Sequence, residues 1–166
     1  MPGFAVVTVS DRCFAGQQAD LTGPAVVRHL QEHWPGTLPT RTIGRGLVPD
    51  NEDAIATLLH ELCHQEYDLI LTAGGTGLGP RDVTPEATRR VIHREALGLA
   101  EAMRAGTAPS YHHAWLSRAI AGLCERTLII NLPGSEHGAV DSLSVILPLL
   151  PHALDTIAGG SLHPKS

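Results

Sequence analysis

A glycine cluster, Gly74-Gly75-Thr76-Gly77-Leu78-Gly79, follows directly on the apolar run Tyr67–Thr72. Without Cβ atoms, Gly74, Gly75 and Gly77 let a ligand approach the backbone, and their N–H groups can point at phosphate oxygens. The cluster is not a Walker loop, because no lysine follows it, and GGTGLG is not the GxGxxG dinucleotide fingerprint. Asp82 lies in the loop beyond, just ahead of Thr84-Pro85, and Asp50 follows Val48-Pro49 at the head of another helical pattern. Either aspartate can serve as a helix cap. Thr84 is the better-placed cap, which leaves Asp82 for other work. Two carboxylates near a phosphate cradle are a donor set suited to Mg²⁺. Arg12, Arg81 and Arg118 are the cations that can balance phosphate charge. Lys165 is the only lysine, so a fixed cation at a phosphate must be an arginine, a metal or a helix N-terminus.

A second pattern suggests a metal but does not hold up. His60-Glu61-Leu62-Cys63-His64 matches the HExxH of zinc proteases. Ile55, Leu58, Leu59 and Leu62 set the apolar face of that helix, and at about 100° per residue both histidines fall on the opposite side. A solvated helix face is the expectation.

The elements that position these residues alternate. Phe4–Val9 reads as a buried strand, followed by a loop over Ser10–Asp20. Thr22 can cap a helix with Pro24 in its first turn and Val26, Val27, Leu30 and Trp34 on its apolar side. Thr37–Ile43 reads as a second strand. A helix runs from Asp50 to about Gln65, and Tyr67–Thr72 is a strand buried on both faces. Thr84 caps the next helix, more helix follows around Ala96–Arg104, and Gly106–His113 reads as loop. Arg126–Leu132 is the last strand. His137–Ile157 is helical, kinked or split at Pro148 and Pro151. This order predicts right-handed βαβ crossovers and a three-layer α/β/α fold with a mainly parallel sheet.

Composition narrows the partners. The 166 residues suit one domain, 43% are hydrophobic, and the formal net charge is −5 with no basic run. Nucleic acid would need a cationic face, so it is not an expected partner. The longest apolar runs, such as Leu69–Ala73 and Val145–Leu150, are too short to span a bilayer, and Met1–Val9 lacks the basic residue of a signal peptide. Cys13, Cys63 and Cys124 are odd in number and widely spaced. They read as free thiols in a reducing cytoplasm.

In α/β sheets, ligands sit at the carboxyl ends of the strands. Three segments end strands in this way: Ser10-Asp11-Arg12, Thr72 through Gly77, and Asn131-Leu132-Pro133-Gly134-Ser135. The run from Thr72 through Gly74-Gly75-Thr76-Gly77 and Arg81-Asp82 to Glu86 closely resembles the signature of the molybdopterin adenylyltransferase family, the MogA/MoaB type also seen in the gephyrin G domain. Val9-Ser10-Asp11-Arg12, Pro49-Asp50, Leu116-Ser117-Arg118, Asn131 through Ser135, and Pro151-His152-Ala153-Leu154 resemble the family's other blocks, in its order. The resemblance covers nearly the whole chain.

The resemblance implies the molybdopterin-binding-like α/β fold and a homotrimer. It implies transfer of AMP from ATP to molybdopterin with Mg²⁺ and release of pyrophosphate, in molybdenum cofactor biosynthesis. It gives Asp50 and Asp82 the catalytic roles, and the same two carboxylates are the candidate ligands of Mg²⁺. The pocket for nucleotide and pterin phosphate then falls to Ser10, Asp11, Arg12, Gly74, Gly75, Thr76, Gly77, Arg81, Ser117, Arg118, Asn131, Pro133, Gly134 and Ser135. Other proteins of cofactor biosynthesis are the implied partners. Glu136-His137 departs from the family, which usually has proline after this serine, and puts a negative charge near anionic ligands. The alternative is a molybdopterin-binding or carrier paralogue that keeps the pocket without the chemistry.

Overall fold

The computed structural model describes residues 3–39 and 43–160. Six strands of the described residues form one sheet: β1 (Gly3–Val9), β2 (Ile43–Val48), β3 (Tyr67–Ala73), β4 (Arg94–Glu95), β5 (Ala121–Cys124) and β6 (Thr127–Leu132). Their order is β2-β1-β3-β6-β5-β4. β2, β1, β3 and β6 are parallel, while β5 and β4 are antiparallel additions at one edge. The expected parallel core is present. The antiparallel edge went unread, because β4 has only two residues and both are exposed, leaving no apolar alternation to find.

Among the described residues seven α-helices accompany the sheet: α1 (Asp11–Phe14), α2 (Thr22–His33), α3 (Glu52–His64), α4 (Thr84–Arg89), α5 (Leu97–Thr107), α6 (Glu136–Ile146) and α7 (Leu150–Ile157). Strand side chains alternate between two cores. Phe4, Val6, Leu69, Leu71, Leu128 and Ile130 pack with Val26, Leu30, Met103, Leu143 and Ile146 of α2, α5 and α6. Ala5, Val7, Ile70 and Ile129 pack with Ile55, Leu59 and Ala87 of α3 and α4. Helices on both faces make the three layers.

Several local expectations are corrected. The second strand begins at Ile43 rather than ending there, Gly36 through Pro39 carry no strand, and residues 40–42, like Lys165, lie outside the described residues. The stretch Ser10–Asp20 contains α1, capped by Ser10 Oγ, which accepts from the Cys13 N–H at 3.2 Å. Thr22 does not cap α2. Asp20 Oδ1 accepts from the Gly23 N–H at 2.9 Å, and Thr22 Oγ1 instead donates to the Gly134 carbonyl at 2.9 Å. Gly106 and Thr107 end α5, and His112–Leu116 form a 3₁₀ turn rather than open loop. Glu136–Ile157 is apolar and long enough to cross a bilayer by composition. It is split at Pro148 into α6, a 3₁₀ turn over Leu147–Leu149, and α7. Its side bearing Ala139, Leu143, Ile146 and Leu150 belongs to the first core.

Candidate active site

The glycine turn leaves β3 at a place that no larger residue fits. Gly74 has φ +115° and Gly75 has φ +66°, and φ near +115° is glycine territory. A Cβ on Gly74 would fall onto the Val9 carbonyl oxygen, and one on Gly75 onto Thr84 Oγ1. The Gly74 N–H donates to the Leu132 carbonyl at 3.1 Å, and a Cβ on Gly134 would lie 3.2 Å from Gly74 Cα. The ends of β1, β3 and β6 therefore meet at Gly74. The three strand-end segments share one rim, as parallel strands require.

Thr84 secures the turn from the other side. It is fully buried and sits in the first turn of α4, without capping it. Its hydroxyl donates to the Gly74 carbonyl at 2.8 Å, and its N–H donates to the Gly75 carbonyl at 3.0 Å. Asp82 is free of helix capping as expected, although Thr84 does not cap either. Asp82 Oδ2 accepts from the Gly79 N–H at 2.8 Å, which closes the loop on itself.

Asp50 does not cap α3. That task belongs to Asn51, whose Oδ1 accepts from the Ala54 N–H at 2.9 Å. Asp50 instead forms a reciprocal pair with Asp11. The Asp11 N–H donates to Asp50 Oδ2 and the Asp50 N–H donates to Asp11 Oδ1, each at 2.9 Å. Arg81 joins them, donating from Nε at 2.9 Å and Nη2 at 2.7 Å to Asp11 Oδ2. The two carboxyls are pushed in opposite directions. The Arg81 guanidinium holds Asp11 below the usual carboxylate range. Burial raises Asp50, and the charges of Asp11 and Asp82 add to the rise against the Asp11 N–H and Arg81. Burial and the neighbouring carboxylates thus disfavour the charged form of Asp50.

Beside the turn lies a cavity of about 750 Å³. Gly75, Thr76, Gly77 and Asp82 form one wall, Pro133, Gly134 and Ser135 another, and Ser117 a third. Sequence reading did not select the residues that α5 and α6 contribute, among them Met103, Arg104, Thr107, Asp141 and Ser142. They belong to no motif, and which helix face meets the cavity is settled only by packing. Ser10 and Ser135 share a smaller cavity of about 180 Å³ with Cys13 and Glu136. Glu136 opens α6, where its charge suits the helix N-terminus.

Of the residues expected at the pocket, Asp11, Arg12, Asp50, Gly74, Arg81, Arg118 and Asn131 line neither cavity. Asn131 is fully buried and ties elements together. Its Nδ2 donates to Thr72 Oγ1 at 3.0 Å and Thr88 Oγ1 at 2.9 Å, and its Oδ1 accepts from the Ile120 N–H at 3.3 Å. Arg118 turns inward, donating to the Gly77 carbonyl at 2.8 Å, the Asp82 carbonyl at 2.5 Å and the Glu86 carboxylate. It braces the loop that carries Asp82. Arg12 is exposed on α1. His60 and His64 are exposed, as the helical spacing predicts. Among the described residues, no three histidine, cysteine or acidic side chains gather as a metal cage.

The comparisons agree with this geometry. A family model described as a probable molybdopterin binding domain matches residues 5–152. Gephyrin of Dictyostelium discoideum is 39% identical over 97% of this chain, which spans 23% of that protein. Molybdopterin adenylyltransferase of Helicobacter pylori strain J99 is 36% identical over 93% of this chain and 86% of that protein. The crystal structure of the molybdopterin biosynthesis enzyme MoaB of Thermus thermophilus superposes with a TM-score of 0.85 at 46% identity, covering 96% of this chain and 98% of that one. With the glycine rim, the fold and most of its length in common with these proteins, the chain belongs to the molybdopterin binding domain family of molybdenum cofactor biosynthesis.

Proposed function

We propose that the chain is a molybdopterin adenylyltransferase that moves AMP from ATP to molybdopterin and releases pyrophosphate, with Mg²⁺ held by Asp50 and Asp82. The observation that carries this is the glycine turn, flanked by both aspartates and open to a cavity of about 750 Å³. In the transfer, a phosphate oxygen of the pterin bonds to the α-phosphorus of ATP as the bond to pyrophosphate breaks. The N–H groups of the turn supply fixed dipoles for phosphate oxygens. The Asp11–Arg81 pair and the Arg118 brace hold the two sides of the rim in place.

The donor set fits Mg²⁺, which takes one or two carboxylates and completes its shell with water and phosphate. Asp50 Oδ1 faces Gly75, at 3.2 Å from where a Cβ would stand, so the small residue keeps room beside that oxygen. Bound Mg²⁺ supplies charge neutralisation of the phosphates. Purified protein given molybdopterin, ATP and Mg²⁺ is expected to release pyrophosphate and form an adenylylated pterin. Tight pterin binding with no product at any Mg²⁺ concentration supports the carrier function instead.

The same reading places the protein in the cytoplasm as a homotrimer. Leu78, Tyr111 and Leu116 are exposed around the cavity mouth, with exposed Trp115 beside Leu116 in the chain, and exposed apolar clusters mark contact surfaces. Light scattering at micromolar protein is expected to give three chain masses.

A further inference from the structure

We infer that Arg104 is the anion-anchoring residue of the large cavity, taking a phosphate-class oxyanion on the side of its guanidinium that the backbone leaves free. The inference deepens the proposed function and rests on it for the identity of the ligand.

The arginines singled out by motif are committed elsewhere. Arg81 gives Nε and Nη2 to a single oxygen of Asp11. Arg118 spends Nε, Nη1 and Nη2 on two carbonyls and Glu86. Arg12 does not line the cavity. Arg104 does line it, half-buried on the last turn of α5.

Its side chain is fixed but not neutralised. Nη1 donates to the Ser117 carbonyl at 3.2 Å and the Ala119 carbonyl at 2.9 Å. These bonds orient the planar fork and bring no net negative charge. A guanidinium has five N–H donors, so those on Nε and Nη2 are left over. Among the described residues Arg104 has no ion-pair partner. Among the described residues neither carboxylate lining the same cavity, Asp82 or Asp141, forms an ion pair with it, and Asp82 Oδ2 accepts instead from the Gly79 N–H. A half-buried, oriented, unpaired guanidinium facing a cavity that holds the glycine turn is a site for a planar or tetrahedral oxyanion. A lysine keeps the charge but lacks the rigid fork that holds backbone with one edge and ligand with another, so it can fill the anion-binding role only in part.

The test uses pyrophosphate as probe, titrated calorimetrically into the intact protein. Arg104→Gln keeps an N–H₂ donor for the two carbonyls and removes the charge. It is expected to weaken pyrophosphate binding by on the order of tenfold to a hundredfold, with an unchanged circular dichroism spectrum. Arg104→Lys restores the charge without the fork and is expected to recover part of the loss. Molybdopterin freed of its phosphate is expected to bind the wild type and Arg104→Gln alike, whereas intact molybdopterin discriminates between them. Equal pyrophosphate affinity in wild type and Arg104→Gln overturns the assignment, as does no recovery in Arg104→Lys. Arg104-dependent pyrophosphate binding in a protein that forms no adenylylated pterin leaves the assignment standing and removes the proposed reaction.

Discussion

The two ends of the parallel strands treat burial in opposite ways. At the carboxyl ends, Asp11, Asp50 and Asp82 stand together, and among the described residues only Arg81 offsets them directly. At the amino ends, β5 turns tightly into β6 through Glu125 at φ +53°, and Thr127 Oγ1 donates to the Tyr67 carbonyl at 2.5 Å. Cys63 and Cys124 are buried there, and burial, reinforced by the Cys124 thiol, pushes Cys63 up to about 12. Burial opposes charge at both ends. At the amino end the Cys63 thiol answers by staying neutral. At the carboxyl end Asp50 is kept beside other carboxylates, an arrangement that costs stability wherever Asp50 is charged. The lesson is that an unfavourable charge arrangement, left in place by the fold, locates the chemistry more sharply than the burial pattern does.

The strongest way to break the contrast is Gly74→Ala. Its φ of +115° and the clash with the Val9 carbonyl are expected to cost about 3 kcal/mol of stability in chemical denaturation. A near-neutral result would mean that the rim is not the tight junction described.

Next come the aspartates. Asp82→Asn and Asp50→Asn keep an oxygen for the Gly79 and Asp11 N–H groups, so melting temperatures should stay close to the parent. Adenylyl transfer, followed by pyrophosphate release, is expected to fall by on the order of a hundredfold or more. Raised Mg²⁺ should partly rescue whichever variant has lost a metal ligand. Asp50 also gives a pH test. Its carboxyl is raised in the folded chain, so its charged form destabilises the fold above that pKa, and the penalty disappears as pH falls below the ordinary carboxylate range. Asp50→Asn is therefore expected to melt slightly higher than the parent at neutral pH, with the gain vanishing in acid. A variant that melts well below the parent at pH 7 assigns that carboxylate to the fold.

Thr84→Val probes the support beneath the turn. It removes one buried hydrogen bond to the Gly74 carbonyl and is expected to cost about 1–2 kcal/mol. Activity measured below the melting range should fall too, because the turn is held from this side. Loss of stability with full activity would show that the turn keeps its shape without Thr84.

The smallest effect is expected at the other end. Ellman's reagent on native protein at pH 8 should react readily with Cys13, which is partly exposed, and spare buried Cys63 and Cys124 until denaturant is added. Fast reaction of all three would mean that the amino end opens, and the contrast between the ends would fail.

Local sequence determined the elements and the rim. Strong apolar runs such as Tyr67–Thr72 specified buried strands, and the βα alternation forced their carboxyl ends, with the glycine turn and Asp50, to one side. Such features are legible because neighbouring residues carry them. The structure alone decided what each polar group does there. It gave the caps to Asn51 and Asp20 instead of Asp50 and Thr22, buried Asn131 as a tie, turned Arg118 inward, and brought Arg104 to the cavity. Those outcomes depend on partners far away in the chain, 41 residues in the case of Arg118 and Gly77. No local pattern encodes which of several equally able donors packing will bring within about 3 Å of an acceptor.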